Sequence, residues 1–134
     1  MEGKPRSLSS AAPLAEECVV SKLTPESLGL MADFFKVLSE VSRLQIICSL
    51  KPGAKNVTEI MQETELGQAN VSKHLKILTQ AGIVAREQRG VCVYYRIANP
   101  FLFDLCDLVC KALSLQIEHH SQQVQELSQL GQRN

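Results

Sequence analysis

The run Gly67-Gln-Ala-Asn-Val-Ser-Lys-His-Leu-Lys-Ile-Leu-Thr-Gln-Ala-Gly-Ile-Val84 contains a helix, its stop signal and the start of a strand. Val71, Leu75 and Leu78 recur at helical spacing, which predicts a helix from Gln68 to about Gln80 buried on that side. Gly82, just past the end, suits the left-handed conformation that caps a helix. Gln68, Asn70, Ser72 and Lys73 turn away from Val71 and Leu75, so the start of this helix offers polar groups to solvent.

Working outward, Leu66-Gly67 makes a turn, and Asn56 with Glu59 three residues on has the spacing of a capping box for a helix to about Glu63. Two short helices around a tight turn therefore adjoin. Further upstream, Ser42 and Gln45 have capping-box spacing for a helix over Arg43 to Leu50, ended by Pro52-Gly53. Thr24-Pro25-Glu26 starts another, with Leu28, Met31, Ala32, Phe35 and Leu38 on its apolar stripe to about Ser39. Residues 1–22, rich in Ser, Ala and Pro, read as a mobile N-terminal arm.

Downstream, Ile83 to Glu87 and Val91 to Ile97 are β-branched and aromatic runs separated by Gln88-Arg89-Gly90, which reads as a hairpin. Asn99-Pro100 opens a long helix to about Leu127. Phe101, Leu105, Leu108, Leu113 and Ile117 cannot share one stripe, so this helix requires a second partner surface, and a second copy of the chain supplies it. The order α-α-α-α-β-β-α predicts a mainly α (α+β) fold: a winged helix-turn-helix domain over residues 23–128 with a long C-terminal dimerisation helix, followed by a flexible tail over 129–134.

Composition is consistent with one soluble domain. The chain has 134 residues, 45% apolar and 21% charged, and no apolar run long enough for a membrane span or a signal peptide, so a cytoplasmic location is expected. The net charge is zero, yet between Leu66 and Ala98 five basic residues (Lys73, Lys76, Arg86, Arg89 and Arg96) face one acid, Glu87. Such a local excess is the footprint of a phosphate-binding surface, or of an ordinary solvated face. There is no Gly-rich phosphate loop, no Gly-x-Ser-x-Gly elbow and no His-Glu-x-x-His, so neither an enzyme nor a cofactor is expected. Cys18, Cys48, Cys92, Cys106 and Cys110 are odd in number and lack zinc-ribbon spacing, which predicts reduced thiols.

Gly67 to Val84 resembles the recognition-helix signature of the ArsR/SmtB repressors. Leu38-Ser-Glu-Val-Ser-Arg-Leu-Gln-Ile-Ile47 resembles the start of that family's second helix, and Gly90-Val-Cys-Val-Tyr-Tyr-Arg-Ile97 its wing strand. The resemblance spans roughly residues 28 to 115, with Glu40-Val41 where the family usually has Asp-Pro. It implies a homodimeric repressor seated on an inverted-repeat operator in double-stranded DNA and released by a small inducer. Gln68 and Asn70 then suit an adenine edge, and Ser72 a base or a phosphate. Lys73 and Lys76 suit phosphate, while Arg86 and Arg89 at the hairpin tip suit the backbone or the minor groove. His74, three residues after Val71, is open to two readings, a structural histidine or a phosphate contact. A winged-helix protein-interaction module without DNA binding is the rival reading.

The family's metal sites do not map onto this chain. Its third-helix cysteine pair is missing from Asn56 to Glu63, and the zinc positions of the last helix carry Asn99, Phe101, Ala112 and Leu115, so no metal ligands are assigned. His119 and His120 are adjacent and splay about 100° apart on a helix. Cys48 stands where the family's sulfide- and persulfide-sensing branch has a cysteine, whose partner lies in the last helix, as Cys106 or Cys110 does here. That resemblance implies a thiol sensor for reactive sulfur or oxidants that responds by forming a disulfide or polysulfide link. Two other readings stay open: arsenite or another thiophilic ion bound by Cys106 and Cys110 with Cys18, and buried cysteines that only fill space. Cys92 falls on the wing and is assigned no role.

Overall fold

The computed structural model describes residues 19–133. A single 3-10 turn, Val19–Lys22, leads into α1 (Pro25–Leu38), α2 (Val41–Ser49), α3 (Val57–Thr64), α4 (Gln68–Gln80), β1 (Val84–Arg89), β2 (Cys92–Ile97) and α5 (Phe101–Arg133). This is the order read from the sequence, and the architecture is a winged helix-turn-helix. Most of the segment read as an arm, Cys18 included, lies outside the described residues.

Local chemistry sets most boundaries. Thr24 Oγ1 accepts the Ser27 N–H at 3.1 Å with Pro25 following it, as expected for the start of α1. Asn56 and Glu59 complete the capping box of α3, each side chain accepting the other's backbone N–H at 2.9 Å. At α2 the prediction fails: the helix begins at Val41 with Glu40 as its cap residue and no side-chain capping bond, so Ser42 is not the cap. A tertiary contact holds this end instead. The Arg43 Nε donates to the Val37 carbonyl at 2.5 Å and ties the first turn of α2 to the end of α1.

The core comes from every helix. Ile46 and Ile47 of α2 and Leu50 at its C-terminal cap, Ile60 of α3, and Val71, Leu75 and Leu78 of α4 are buried, closed off by Ile83, Val84 and Leu102. In α1 the inward residues are Phe34, Val37 and Leu38, whereas Leu28 and Phe35 of the expected stripe remain exposed. The buried face keeps Leu38 and half-buries Met31 of that stripe, but takes Phe34 in place of Phe35.

The wing is an antiparallel hairpin in register from Val84 opposite Ile97 to Arg89 opposite Cys92. Its turn is Gly90-Val91 and not Gln88-Arg89-Gly90. Gly90, at φ 63°, supplies the left-handed residue of a two-residue turn, which lets β1 continue through Arg89. Lys55 pairs its backbone with Tyr95 in both directions, at 2.8 and 3.0 Å, and so adds a short third edge to the wing. This link anchors the hairpin to the segment before α3.

The Asn99 side chain accepts the Phe101 N–H at 3.0 Å and opens α5. This helix runs 33 residues, about 50 Å, and continues past Leu127 through residues read as a flexible tail. Only its first turns touch the domain: Leu102 is buried, Phe103, Leu105 and Cys106 are half-buried, and every described side chain from Asp107 onward is exposed. No described helix is long and apolar enough to cross a membrane.

Candidate nucleic-acid interface

The site is built on the turn between α3 and α4. Glu65 ends α3 in the left-handed conformation, φ 61°, and its N–H reaches the Met61 carbonyl, which turns the chain sharply. Gly67 then precedes α4 in an extended conformation, without a side chain to cap the first N–H groups. An uncapped, exposed helix start carries a partial positive charge and free donors, which suit an anion.

On α4 the sequence pattern holds residue by residue. Val71, His74, Leu75 and Leu78 are buried, while Gln68, Asn70, Ser72, Lys73 and Lys76 are exposed. The helix is therefore pinned by one face and presents the other. His74 belongs to the pinned face, 5% exposed. Arg43 Nη1 donates to its Nδ1 at 3.3 Å, which assigns the neutral ring with its proton on Nε2. Burial lowers its pKa below the usual histidine value, and the positive charges of Lys73 and Arg43 add to that against a smaller opposing effect of Glu40.

The hairpin sorts its arginines onto two faces, because side chains alternate along a strand. Arg86, opposite Tyr95, looks toward α4 from the middle of β1. With Ser72, Lys76, Thr79 and Gln80 these two line a concavity of about 230 Å³ between helix and wing. The Thr79 hydroxyl is buried without a hydrogen-bond partner. Arg89 lies on the other face beside the turn, 3.3 Å from the Glu87 carboxylate and stacked over the Tyr94 ring at 4.6 Å. Arg96 approaches the same carboxylate at 3.8 Å. Thus Arg89 sits at the tip as predicted, whereas Arg86 does not, since the strand is longer than the sequence suggested.

Sequence reasoning did not single out Tyr95, Thr79 or Arg43. The Arg43–His74 contact joins residues 31 apart, and no local periodicity records it.

Four cysteines fall among the described residues, all as free thiols: Cys48, Cys92 and Cys110 are exposed and Cys106 is half-buried. Cys48 lines an open concavity of about 360 Å³ between α2 and α3, with Val41, Leu44 and Thr64 among its neighbours. Burial pushes the Cys106 thiol up, and Cys48, Cys110 and Asp107, in that order, push the same way. Among the described residues no three His, Cys, Asp or Glu side chains converge as metal ligands would.

Comparison with known proteins agrees with this geometry. The family model for bacterial regulatory proteins of the arsR family matches residues 40–86, from the start of α2 into β1. The uncharacterized HTH-type transcriptional regulator Rv0081 of Mycobacterium tuberculosis is 33% identical over 86 residues, covering 63% of this chain and 75% of its own. Its crystal structure superposes with a TM-score of 0.66 at 29% identity, over 73% of this chain and 98% of that one. The homodimeric winged helix-turn-helix DNA-binding domain of Mb0332 from Mycobacterium bovis, a possible ArsR-family regulator, gives a TM-score of 0.63 at 31% identity, over 70% and 87% of the two chains. The HTH-type transcriptional repressor SmtB of Mycobacterium tuberculosis is 33% identical over 88 residues, 64% of this chain and 65% of its own. The chain belongs to the arsR family of bacterial transcriptional regulators and has its DNA-binding winged-helix architecture.

Proposed function

We propose that the chain is a homodimeric repressor that reads an inverted-repeat operator through α4 and loses its grip when thiols near α2 and α5 react. The observation that carries the DNA half is the division of α4, apolar and His74 side inward, Gln68, Asn70, Ser72, Lys73 and Lys76 outward. Gln68 and Asn70 stand at the start of the helix, where a recognition helix meets base edges in the major groove. Lys73 and Lys76 hold the flanking phosphates. Arg86 faces Lys76 across the concavity between helix and wing, so the two cations and the unpartnered Thr79 hydroxyl suit one backbone phosphate. Arg89 works from the wing tip, held in place by Glu87 and Tyr94.

A second copy is supported by the apolar residues that the domain leaves uncovered: Leu28 and Phe35 on α1, and Leu108 and Leu113 on α5. The homodimeric domain of Mb0332 favours the same assembly. Two recognition helices would then lie about 34–36 Å apart, one turn of DNA.

The switch rests on Cys48, Cys106 and Cys110. A thiolate that attacks peroxide releases hydroxide and becomes a sulfenic acid, and a second thiol displaces water from it to leave a disulfide. Cys48, exposed on α2, is the accessible first reactant, and the half-buried Cys106 suits the second step. Cys110 remains the alternative partner on the same helix, one turn away. Such a bond would tie α5 to α2, which supports the reading head, and so shift the spacing of two recognition helices. The protein-interaction rival predicts no salt-dependent DNA binding. Fluorescence anisotropy with duplex DNA across a salt series separates the two readings: a log–log slope of several units supports the repressor, and a flat, weak signal contradicts it.

A further inference from the structure

Ser49 and His74 are the polar side chains buried in the described core. Ser49 donates its hydroxyl proton to the Ile46 carbonyl of its own helix, 2.6 Å away. His74 is bonded to a different element. Its Nδ1 accepts from Arg43 Nη1 at 3.3 Å, while the Arg43 Nε holds the Val37 carbonyl at the end of α1. One guanidinium thus joins α1, α2 and α4. Its planar fork suits this, since it offers N–H groups in fixed directions. Asn70 precedes His74 by four residues, about one helical turn, and so stands on nearly the same bearing of α4. A shift of His74 therefore carries a base-reading residue with it.

The bond between α2 and α4 depends on a proton. Nδ1 accepts from Arg43 only while its lone pair is free, and an imidazolium has none. Protonation would also set two cations about a hydrogen-bond length apart around a ring that is 5% exposed. Of the charged groups around the ring, Lys73 of α4 and Arg43 of α2 oppose the proton, and Glu40 just before α2 favours it more weakly. We infer that the Arg43–His74 bond is a proton-operated latch, which holds α4 in the pose that reads DNA and releases it when Nδ1 takes a proton from solvent. The latch rests on the DNA reading proposed above for α4 and adds its regulation by acidity. Arg43 and His74 act in it as positioning residues and touch no DNA themselves.

The test is the affinity of the full chain for a labelled duplex that it selects from a random pool, measured by anisotropy between about pH 7.5 and 5 at constant ionic strength. Below the folded-state pKa of His74, log Kd should rise by about one unit per pH unit for each latch in the complex. His74→Gln, whose amide oxygen accepts from Arg43 but takes no proton, should lose this rise. Arg43→Ala should already bind weakly at neutral pH and show a flattened profile. His119→Gln, far along the exposed part of α5, should keep the wild-type rise. Urea unfolding at each pH separates positioning from folding, because the latch requires affinity to fall while the chain is still folded. The latch is overturned, and the repressor stands, if wild type and His74→Gln give parallel profiles, if Arg43→Ala matches wild type, if His119→Gln loses the rise, or if affinity falls only as the folded fraction does. A wild-type chain that binds no duplex at any pH overturns both.

Discussion

The guanidinium of Arg43 joins the end of α1 to the inner face of the recognition helix, through the Val37 carbonyl at 2.5 Å and His74 Nδ1 at 3.3 Å. This clamp sets the pose of α4 from its buried face. Arg43→Ala should leave Val37 and His74 with unmet acceptors and destabilise the fold by about 1–3 kcal/mol. Urea unfolding measures it, and an unchanged midpoint would remove the clamp from the account.

The same histidine gives a pH dependence with a definite sign. Its folded-state pKa is lowered by burial first and by Lys73 and Arg43 next, so the folded protein binds the proton less readily than the unfolded chain. The contribution is present above the unfolded value of about 6.5 and is lost as pH falls below it toward the folded pKa. Stability should therefore drop between neutral and mildly acidic pH, and His74→Gln should flatten that drop. A variant that keeps the full acid slope would assign it to other groups.

Leu75, 1% exposed, sits in the core on the face of α4 opposite its exposed polar residues. Leu75→Ala should cost about 2–5 kcal/mol and weaken DNA binding only as far as it lowers the folded fraction. Calorimetry alongside anisotropy checks this; loss of binding in a variant of wild-type stability would place Leu75 in the interface itself.

Lys73→Ala and Lys76→Ala should weaken binding to every duplex and reduce the salt slope by about one unit each, while Gln68→Ala and Asn70→Ala should chiefly relax base preference. Arg86→Ala should behave as the lysines do, because it shares a concavity with Lys76. Salt titrations on specific and random duplexes compare the two groups, and indistinguishable profiles would contradict the division.

For the switch, Cys48→Ser should keep its DNA under peroxide or persulfide while wild type releases it, and Cys92→Ser should respond as wild type does. Comparing Cys106→Ser with Cys110→Ser then identifies the partner, with mass spectrometry of the oxidised protein reporting the bond. Release by Cys48→Ser equal to wild type would end the thiol reading.

Elements governed by neighbouring residues were legible in the sequence. The Thr24 cap, the Asn56–Glu59 box, the Val71–Leu75–Leu78 stripe and Gly82 each depend on contacts within a few positions, and the structure has them where the pattern put them. What escaped was set at long range. Ser42 had the right spacing for a cap, but Arg43 anchored to Val37 fixes the start of α2 without one. Phe34 and Phe35 are adjacent aromatics, and only packing against the core decides which turns inward. The position of Arg86 depended on the turn, where a single glycine at Gly90 sufficed and lengthened β1. For the candidate site, the exposed residues of α4 were readable from periodicity, while the concavity they form with Tyr95 and Thr79 needed the folded hairpin.

The central claim is that two copies of α4 read a symmetric DNA site, and selection from a random pool of duplexes tests it most directly. The purified chain should enrich an inverted repeat whose half-site centres lie about one helical turn, 10–10.5 base pairs, apart, with the enriched half-site altered in Gln68→Ala or Asn70→Ala. Enrichment of no sequence, or of an asymmetric one unaffected by both substitutions, would contradict it.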